Sequence, residues 1–258
     1  MRYSLAVPVL IAAASDDLGV VVPLARRLRE DGGEVRCYLP EDDGGLRHIG
    51  CKLAVGHPLD EMNLEASLTN VHTFVPVLPD LAGIDDPETL DLVVAYGRVA
   101  ARAAGDSAIE QTILPIPAVP TSHPMGRAFA EVAEAFMAAC RPVCVIRTGM
   151  VWRGDGPLAA GMRALDSALP PALEGAVVSA VALDDLVSLL AEVDDREDTH
   201  GIWDFGGQAV ALTDLRSLDW GAGPPVPFGP WMQQVLASDL VAGASAESEF
   251  GIPARPLL

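Results

Sequence analysis

Val7-Pro-Val-Leu-Ile-Ala-Ala-Ala-Ser-Asp-Asp-Leu-Gly-Val-Val-Val-Pro-Leu-Ala-Arg-Arg-Leu28 is the stretch whose reading decides the fold. An apolar run from Val7 to Ala14 meets a short polar turn, Ser15-Asp16-Asp17. A segment follows in which Leu18, Val21, Val22, Ala25 and Leu28 recur at helical spacing. Asp31-Gly-Gly33 then breaks the chain, and a second apolar run spans Val35 to Leu39. Strand, turn, helix, turn, strand is the opening βαβ unit of a doubly wound parallel sheet. The first turn of such a sheet usually carries three glycines. Here it reads Ala13-Ala-Ser-Asp16-Asp-Leu-Gly19, which keeps only the last of them.

The rest of the chain continues the alternation. Strands are expected at Lys52–Val55, His72–Leu78, Gln111–Ile116, Val143–Arg147, Val177–Ala182 and Gly201–Phe205. Helices are expected at Leu18–Glu30, Leu59–Leu68, Thr89–Ala104, Pro124–Ala139, Pro157–Leu169, Asp184–Val193, Leu212–Leu218 and Trp231–Val241, with Met150–Gly156 a loop and the tail irregular. The fold class is therefore α/β, a Rossmann-type doubly wound sheet with a small C-terminal lobe. Residues 1–150 form the Rossmann-like core. Residues 151–258 supply the remainder of the core, through 177–205, and the reduced lobe.

With 258 residues, half of them hydrophobic, the chain has enough apolar surface for a sizeable core. A net charge of −19 argues against nucleic acid and anionic membranes as partners. Cys37, Cys51, Cys140 and Cys144 show no C-x-x-C spacing and read as buried free thiols in a reducing, cytoplasmic setting. Met1–Ala14, with Arg2, an apolar run and Ala-x-Ala, also fits a weak signal peptide, but the same residues complete the βαβ unit. No run is long and apolar enough to span a membrane.

Four further stretches, taken in order, resemble the extended short-chain dehydrogenase/reductase superfamily, in its NAD(P)-dependent epimerase/dehydratase branch. Val143-Cys-Val-Ile-Arg-Thr-Gly-Met-Val-Trp-Arg-Gly154 is similar to "ILRPGNVYG". Val178-Ser-Ala-Val-Ala-Leu-Asp-Asp-Leu-Val187 is similar to "FVHVDDVA". Gly201-Ile-Trp-Asp-Phe-Gly-Gly-Gln-Ala-Val-Ala-Leu-Thr-Asp-Leu215 resembles "GEVYNVGGPEAVSLRELA", and Phe250-Gly-Ile-Pro-Ala-Arg-Pro-Leu257 resembles "GFRPRPL". With Gly19 in the third glycine position, the resemblance covers nearly the whole chain. It implies the fold, and a homodimer through the Thr89–Ala104 and Pro124–Ala139 helices.

The positions that the resemblance assigns to chemistry differ. Such enzymes use Tyr-x-x-x-Lys, a tyrosinate acid/base whose pKa the lysine lowers. The residues four places after Tyr3, Tyr38 and Tyr96 are Val7, Asp42 and Ala100, and Lys52 is the only lysine. His123-Pro-Met-Gly-Arg-Ala-Phe-Ala-Glu131 resembles "HPYGRSKAE", with Met125 for the tyrosine and Phe129 for the lysine. Ile113-Leu-Pro-Ile-Pro-Ala118 lacks the usual hydroxyl. At the cofactor loop, Asp16 adds bulk and negative charge where bare backbone normally meets a pyrophosphate, and Asp16 and Asp17 suit helix capping instead. Glu41 or Asp42, after the second strand, suits a ribose diol or simply a solvated turn.

The expectation is a degenerate member of this fold that lacks the usual hydride chemistry and holds no cofactor. The degenerate loop Ala13, Ser15, Asp16, Leu18 and Gly19 then marks only the former binding turn. Two readings stand beside each other. One is a binding or regulatory protein that uses the cleft for a small-molecule ligand or a protein partner. The other is a cofactor-independent enzyme in which His123 is the acid/base and Arg127 an anion clamp. Ser122 capping a helix beside a surface His123 is the structural counterpart of the second. An NAD(P)-dependent oxidoreductase or epimerase/dehydratase with atypical site residues is the alternative to both. His48, His57, His72 and His200 have no metal-ligand spacing. The segment Trp220–Trp231 reads as an aromatic lid, a filler between lobes, or a partner surface.

Overall fold

A computed structural model describes residues 8–15, 19–79, 81–84, 86–154, 156–167, 169–196, 199–207, 209–216 and 218–254. Its centre is a seven-stranded parallel sheet. In chain order its strands are β1 (Val9–Ala13), β2 (Val35–Leu39), β3 (Lys52–Val55), β4 (Thr73–Val77), β5 (Gln111–Pro117), β6 (Val143–Thr148) and, after two short strands elsewhere, β9 (Gly201–Phe205). They lie in the order β3-β2-β1-β4-β5-β6-β9, so the winding reverses between β1 and β4. In open α/β sheets, ligands bind outside the carboxyl ends of the strands at that reversal.

β1 is buried along its whole length, as a strand covered on both faces must be. Alternate residues feed opposite layers. Leu10 and Ala12 join a core with Phe74, Tyr96, Phe129 and Phe136. Val9, Ile11 and Ala13 join the other, with Leu24, Val75, Ile146 and Leu189. Helix α1 (Val21–Glu30) buries Val21, Leu24, Ala25 and Leu28, one stripe at helical spacing. On the far face α4 (Pro87–Asp106) and α5 (Pro124–Ala139) pack together. They meet where Gly97 faces Val132: a Cβ at Gly97 would lie 2.6 Å from the valine methyls.

Short elements account for the differences from the sequence reading. Gly44–His48 is a helix (α2), capped by Asp43 accepting from the Leu46 amide at 2.7 Å, in a stretch to which the sequence reading assigns no element. The expected loop at Met150–Gly156 contains strand β7 (Met150–Trp152), which pairs with β8 (Val177–Ala182). β10 (Ala209–Ala211) completes a separate three-stranded sheet. Within 177–205, then, β9 joins the main sheet and β8 does not. The tail contains a helix, α10 (Ser245–Phe250). Within the Trp220–Trp231 segment residues 221–227 are exposed, and Trp220 and Phe228 are the side chains that fill space between elements. Trp220 is buried, donates Nε1–H to the Leu215 carbonyl at 2.9 Å and meets Trp152 edge-on at 6.3 Å. Phe228 packs on Gly161, where any Cβ would collide with its ring. All four cysteines are buried and free, and burial pushes the Cys144 thiol up to about 12. Among the described residues, no helix is long and apolar enough to cross a membrane.

Candidate functional site: a cleft along the sheet edge

Two cavities lie at the carboxyl edge of the sheet and share Pro79, the second residue after β4. The larger, about 490 Å³, is walled by Ala14 and Ser15 after β1, Pro40 after β2, His57 to Leu59 after β3, and Thr89, Val93 and Tyr96 of α4. That volume falls in the range of small-molecule sites. The smaller, about 100 Å³, is walled by Gly19 and Val20 ahead of α1, Val77, Pro115 and Ile116 on the strand ends, Thr148 and Met150, and Arg153. Both walls are mainly apolar, because the strand ends that form them are valine, isoleucine and proline.

The turn between β1 and α1 is the hinge of this arrangement. Ala13 closes β1 and is buried; Ser15 lies in the wall of the larger cavity and Gly19 in that of the smaller. Asp16 and Leu18, the other two loop positions, lie outside the described residues, as does Asp17. The helix expected from Leu18 begins at Val21. Its N-cap is Val20, whose side chain makes no capping hydrogen bond. The first amides of α1 therefore receive no side-chain acceptor from their N-cap residue. A Cβ on Gly19 would lie 1.8 Å from Nη1 of Arg153, so that guanidinium lies directly against the bare backbone of position 19. Arg153 is 9% exposed, and it is the only arginine or lysine in either wall among the described residues. No local sequence signal marks it, because its neighbour Gly19 lies far away along the chain.

The acids after β2 are already employed. Asp42 pairs with Arg47 at 2.7 Å, and Asp43 caps α2. His57 accepts the Leu59 amide on Nδ1 at 3.1 Å, and its carbonyl accepts the Tyr38 hydroxyl at 2.9 Å.

His123 and Arg127 sit together at the start of α5, but in the wall of neither cavity. His123 is the N-cap: its Nδ1 accepts the Met125 amide at 3.2 Å, which leaves the hydrogen on Nε2. That Nε2 is buried with no hydrogen-bond partner among the described residues, and the ring meets Trp231 edge-on at 5.9 Å. Burial, and secondarily the Arg127 cation, holds the imidazole below its usual pKa. Arg127 reaches back to the carbonyls of Thr121 and Ser122, at 3.4 and 3.1 Å. The cap of α5 is thus His123 rather than Ser122. Met125 and Phe129 are 0% and 1% exposed and belong to the core on that face of the sheet.

Tyr38 and Tyr96 are also committed elsewhere. Tyr96 donates to the Ala12 carbonyl at 3.0 Å and Tyr38 to that of His57. Burial pushes both phenols up, the opposite of what an acid/base tyrosine needs. Lys52 pairs with Glu34 at 2.8 Å on the first residue of β3, at the other end of the strand from the cleft.

No protein-family model matches the sequence, and no curated protein matches it. Solved structures do match. MoeE5 in complex with UDP-glucose and NAD superposes with a TM-score of 0.74 at 18% identity, over 96% of this chain and 94% of that one. The Bordetella bronchiseptica enzyme WbmG in complex with NAD gives 0.71 at 17%, over 99% and 91%. The Citrobacter sp. triphenylmethane reductase complexed with NADP(H) gives 0.73 at 12%, over 97% of both chains. The expectation of no cofactor is corrected by these neighbours, which are themselves complexes with NAD or NADP(H). The chain has the Rossmann-type fold of the extended short-chain dehydrogenases/reductases, in which NAD-dependent epimerases and reductases are built.

Proposed function

We propose that this protein binds a nicotinamide dinucleotide in the cleft at the β1/β4 reversal and lacks the tyrosine–lysine proton relay. The observation that carries the reading is the pair of cavities meeting at Pro79, with Gly19 bare at the mouth of α1. The residues fit such a group. The 490 Å³ cavity, between Ser15 and the His57–Leu59 segment, suits the adenosine half. The smaller cavity suits the nicotinamide end, with Pro115, Ile116 and Met150 as apolar walls that exclude water.

A bound nicotinamide supplies a hydride. The protein's own groups supply little to go with it. Met125 and Phe129 carry no proton, and both described tyrosines donate to backbone carbonyls. Binding and regulation, through a protein partner that reads the occupied cleft, is the leading form of this proposal. A second form is hydride delivery from the reduced nicotinamide to a cationic, largely apolar acceptor, whose charge the hydride neutralises so that no proton is needed. The apolar wall of the smaller cavity, with only the Thr148 hydroxyl and Arg153 as polar side chains, favours it.

Calorimetric titration with NAD+, NADH, NADP+ and NADPH tests the proposal. Micromolar binding of NAD+ or NADH supports it; silence towards all four ends it. Turnover of ordinary alcohol or sugar substrates at enzyme-like rates would overturn the claim that the relay is missing.

A further inference from the structure

We propose that Cys37 and Cys51 are a redox pair: a hydroperoxide oxidises Cys51, and Cys37 then closes a disulfide between strand β2 and the turn before β3. Cys51 lies at the opposite end of β3 from the cleft, so the inference stands apart from the dinucleotide reading.

β3 is an edge strand of the main sheet and runs parallel to β2. Leu53 pairs with Cys37 in register, and Cys51 stands two residues before Leu53. Two residues along an extended chain return to the same face, which makes Cys37 and Cys51 diagonal neighbours on one face. Both join the core layer that contains Leu28 and Leu46. The Cys51 amide donates to the Leu46 carbonyl at 3.1 Å. The two thiols meet in a hydrogen bond, the Cys37 S–H donating to the Cys51 sulfur.

Their surroundings divide the roles. Cys37 is 0% exposed, whereas Cys51 is 7% exposed and follows the exposed Gly50 at the sheet edge. Arg29 brings a cation to that corner. It donates to the carbonyls of Ile49 and Gly33 at 3.4 and 2.6 Å, and a Cβ on Gly50 would lie 3.1 Å from its Nη2. The hydrogen bond from Cys37, with the Arg29 cation, holds the Cys51 thiol below its ordinary value against the effect of burial. The bond to Cys51, then burial, pushes the Cys37 thiol up. Cys51 is therefore the nucleophile and Cys37 the thiol that resolves. Cys140 and Cys144 belong to opposite core layers, and burial pushes them up to about 11 and about 12.

The step balances. The Cys51 thiolate attacks one oxygen of the hydroperoxide and the O–O bond breaks. Cys51 is oxidised to a sulfenic acid, and the other oxygen takes up the proton that the thiol released and leaves as water or an alcohol. The Cys37 sulfur then attacks the Cys51 sulfur, its proton passes to the departing hydroxide, and water leaves. Two thiols together lose two electrons and two protons, which the hydroperoxide and its oxygen accept.

The test treats the reduced full chain with hydrogen peroxide, unfolds it in an alkylating agent and maps the peptides by mass spectrometry. Alkylatable thiols should fall from four to two, with a 37–51 link inside one chain that dithiothreitol reverses. In the untreated folded protein, Cys51 should alkylate at least about 10-fold faster than Cys144. Cys37→Ala should stop at a Cys51 sulfenic acid that dimedone traps, and Cys51→Ala should leave Cys37 unoxidised. If either variant fails to fold, the wild-type map decides alone. Four alkylatable thiols after treatment overturn the proposal. So does a link that joins another pair or two chains, and so does a Cys51 sulfinic acid beside a free Cys37.

Discussion

At the β1–α1 turn the chain leaves backbone bare and brings a guanidinium against it; at the start of α5, on the same rim of the sheet, it packs Met125 and Phe129 into the core and closes Trp231 over His123. The first region keeps room for a ligand. In the second, the positions that the family resemblance assigns to proton transfer are filled by side chains that exclude water. The contrast teaches that ligand space and reaction chemistry are separable in this fold. Space depends on where the strands end. Chemistry depends on a few side chains on one helix, and those can be exchanged for apolar ones that stabilise the core.

The contrast can be broken most forcefully at Phe129. Placing a charge there, Phe129→Lys, is expected to cost about 4–5 kcal/mol or more, since the side chain is 1% exposed and has no partner for an ammonium. Chemical denaturation measures it. A near-wild-type midpoint would mean that position 129 opens towards water, and the two regions would no longer differ.

Gly126 sharpens the comparison. Glycine to alanine inside a helix ordinarily stabilises, by up to about 1 kcal/mol. Here the new Cβ would lie 2.1 Å from the Pro120 carbonyl oxygen and 2.7 Å from that of Val119, both rigid backbone. Gly126→Ala should therefore destabilise by about 1–3 kcal/mol in a thermal or denaturant melt. A stabilised variant would show that the α5 start is looser than its packing implies.

His123 gives a smaller, pH-dependent signal. Its folded pKa is lowered, so the unfolded chain takes up the proton first. The contribution of this group to stability is full above the unfolded value near 6.5 and is lost as pH falls through the folded value. His123→Asn, which retains a capping acceptor, should flatten that acid limb of the stability curve. An unchanged limb would mean that His123 is already open to water. In the wild type, truncating the ring above it, Trp231→Ala, should raise the imidazole pKa towards 6.5, as followed by NMR titration.

The smallest effect on stability is expected at Gly19. Its Cβ would meet only the far end of a flexible side chain, which can shift. Gly19→Ala should change the unfolding free energy by no more than about 0.5–1 kcal/mol. A larger loss would place the β1–α1 turn in the same rigid class as the α5 start.

Much of the architecture was legible from periodicity. Lys52–Val55, Pro124–Ala139, Val177–Ala182 and Gly201–Phe205 have the bounds that their apolar spacing predicts. α2, β7, β10 and α10 were missed because three to six residues are too few to show a period. The site was only partly legible. Ser15 and Gly19 could be picked out because a βα turn has a local signature, and both stand in the cleft. His123 and Arg127 drew attention by residue type and by their place in the stretch that resembles "HPYGRSKAE", and neither lines it.

The sequence by itself determined the alternation of strands and helices, the absence of any Tyr-x-x-x-Lys, and the acidic charge, since each is a property of neighbouring residues or of a count. Only the tertiary structure decided that two cavities meet at Pro79, and that Arg153 lines one of them. The physical reason is that cavity space and a buried charge's neighbours come from segments such as 19, 153 and 156, which are brought together by the winding of the sheet and share no local pattern along the chain.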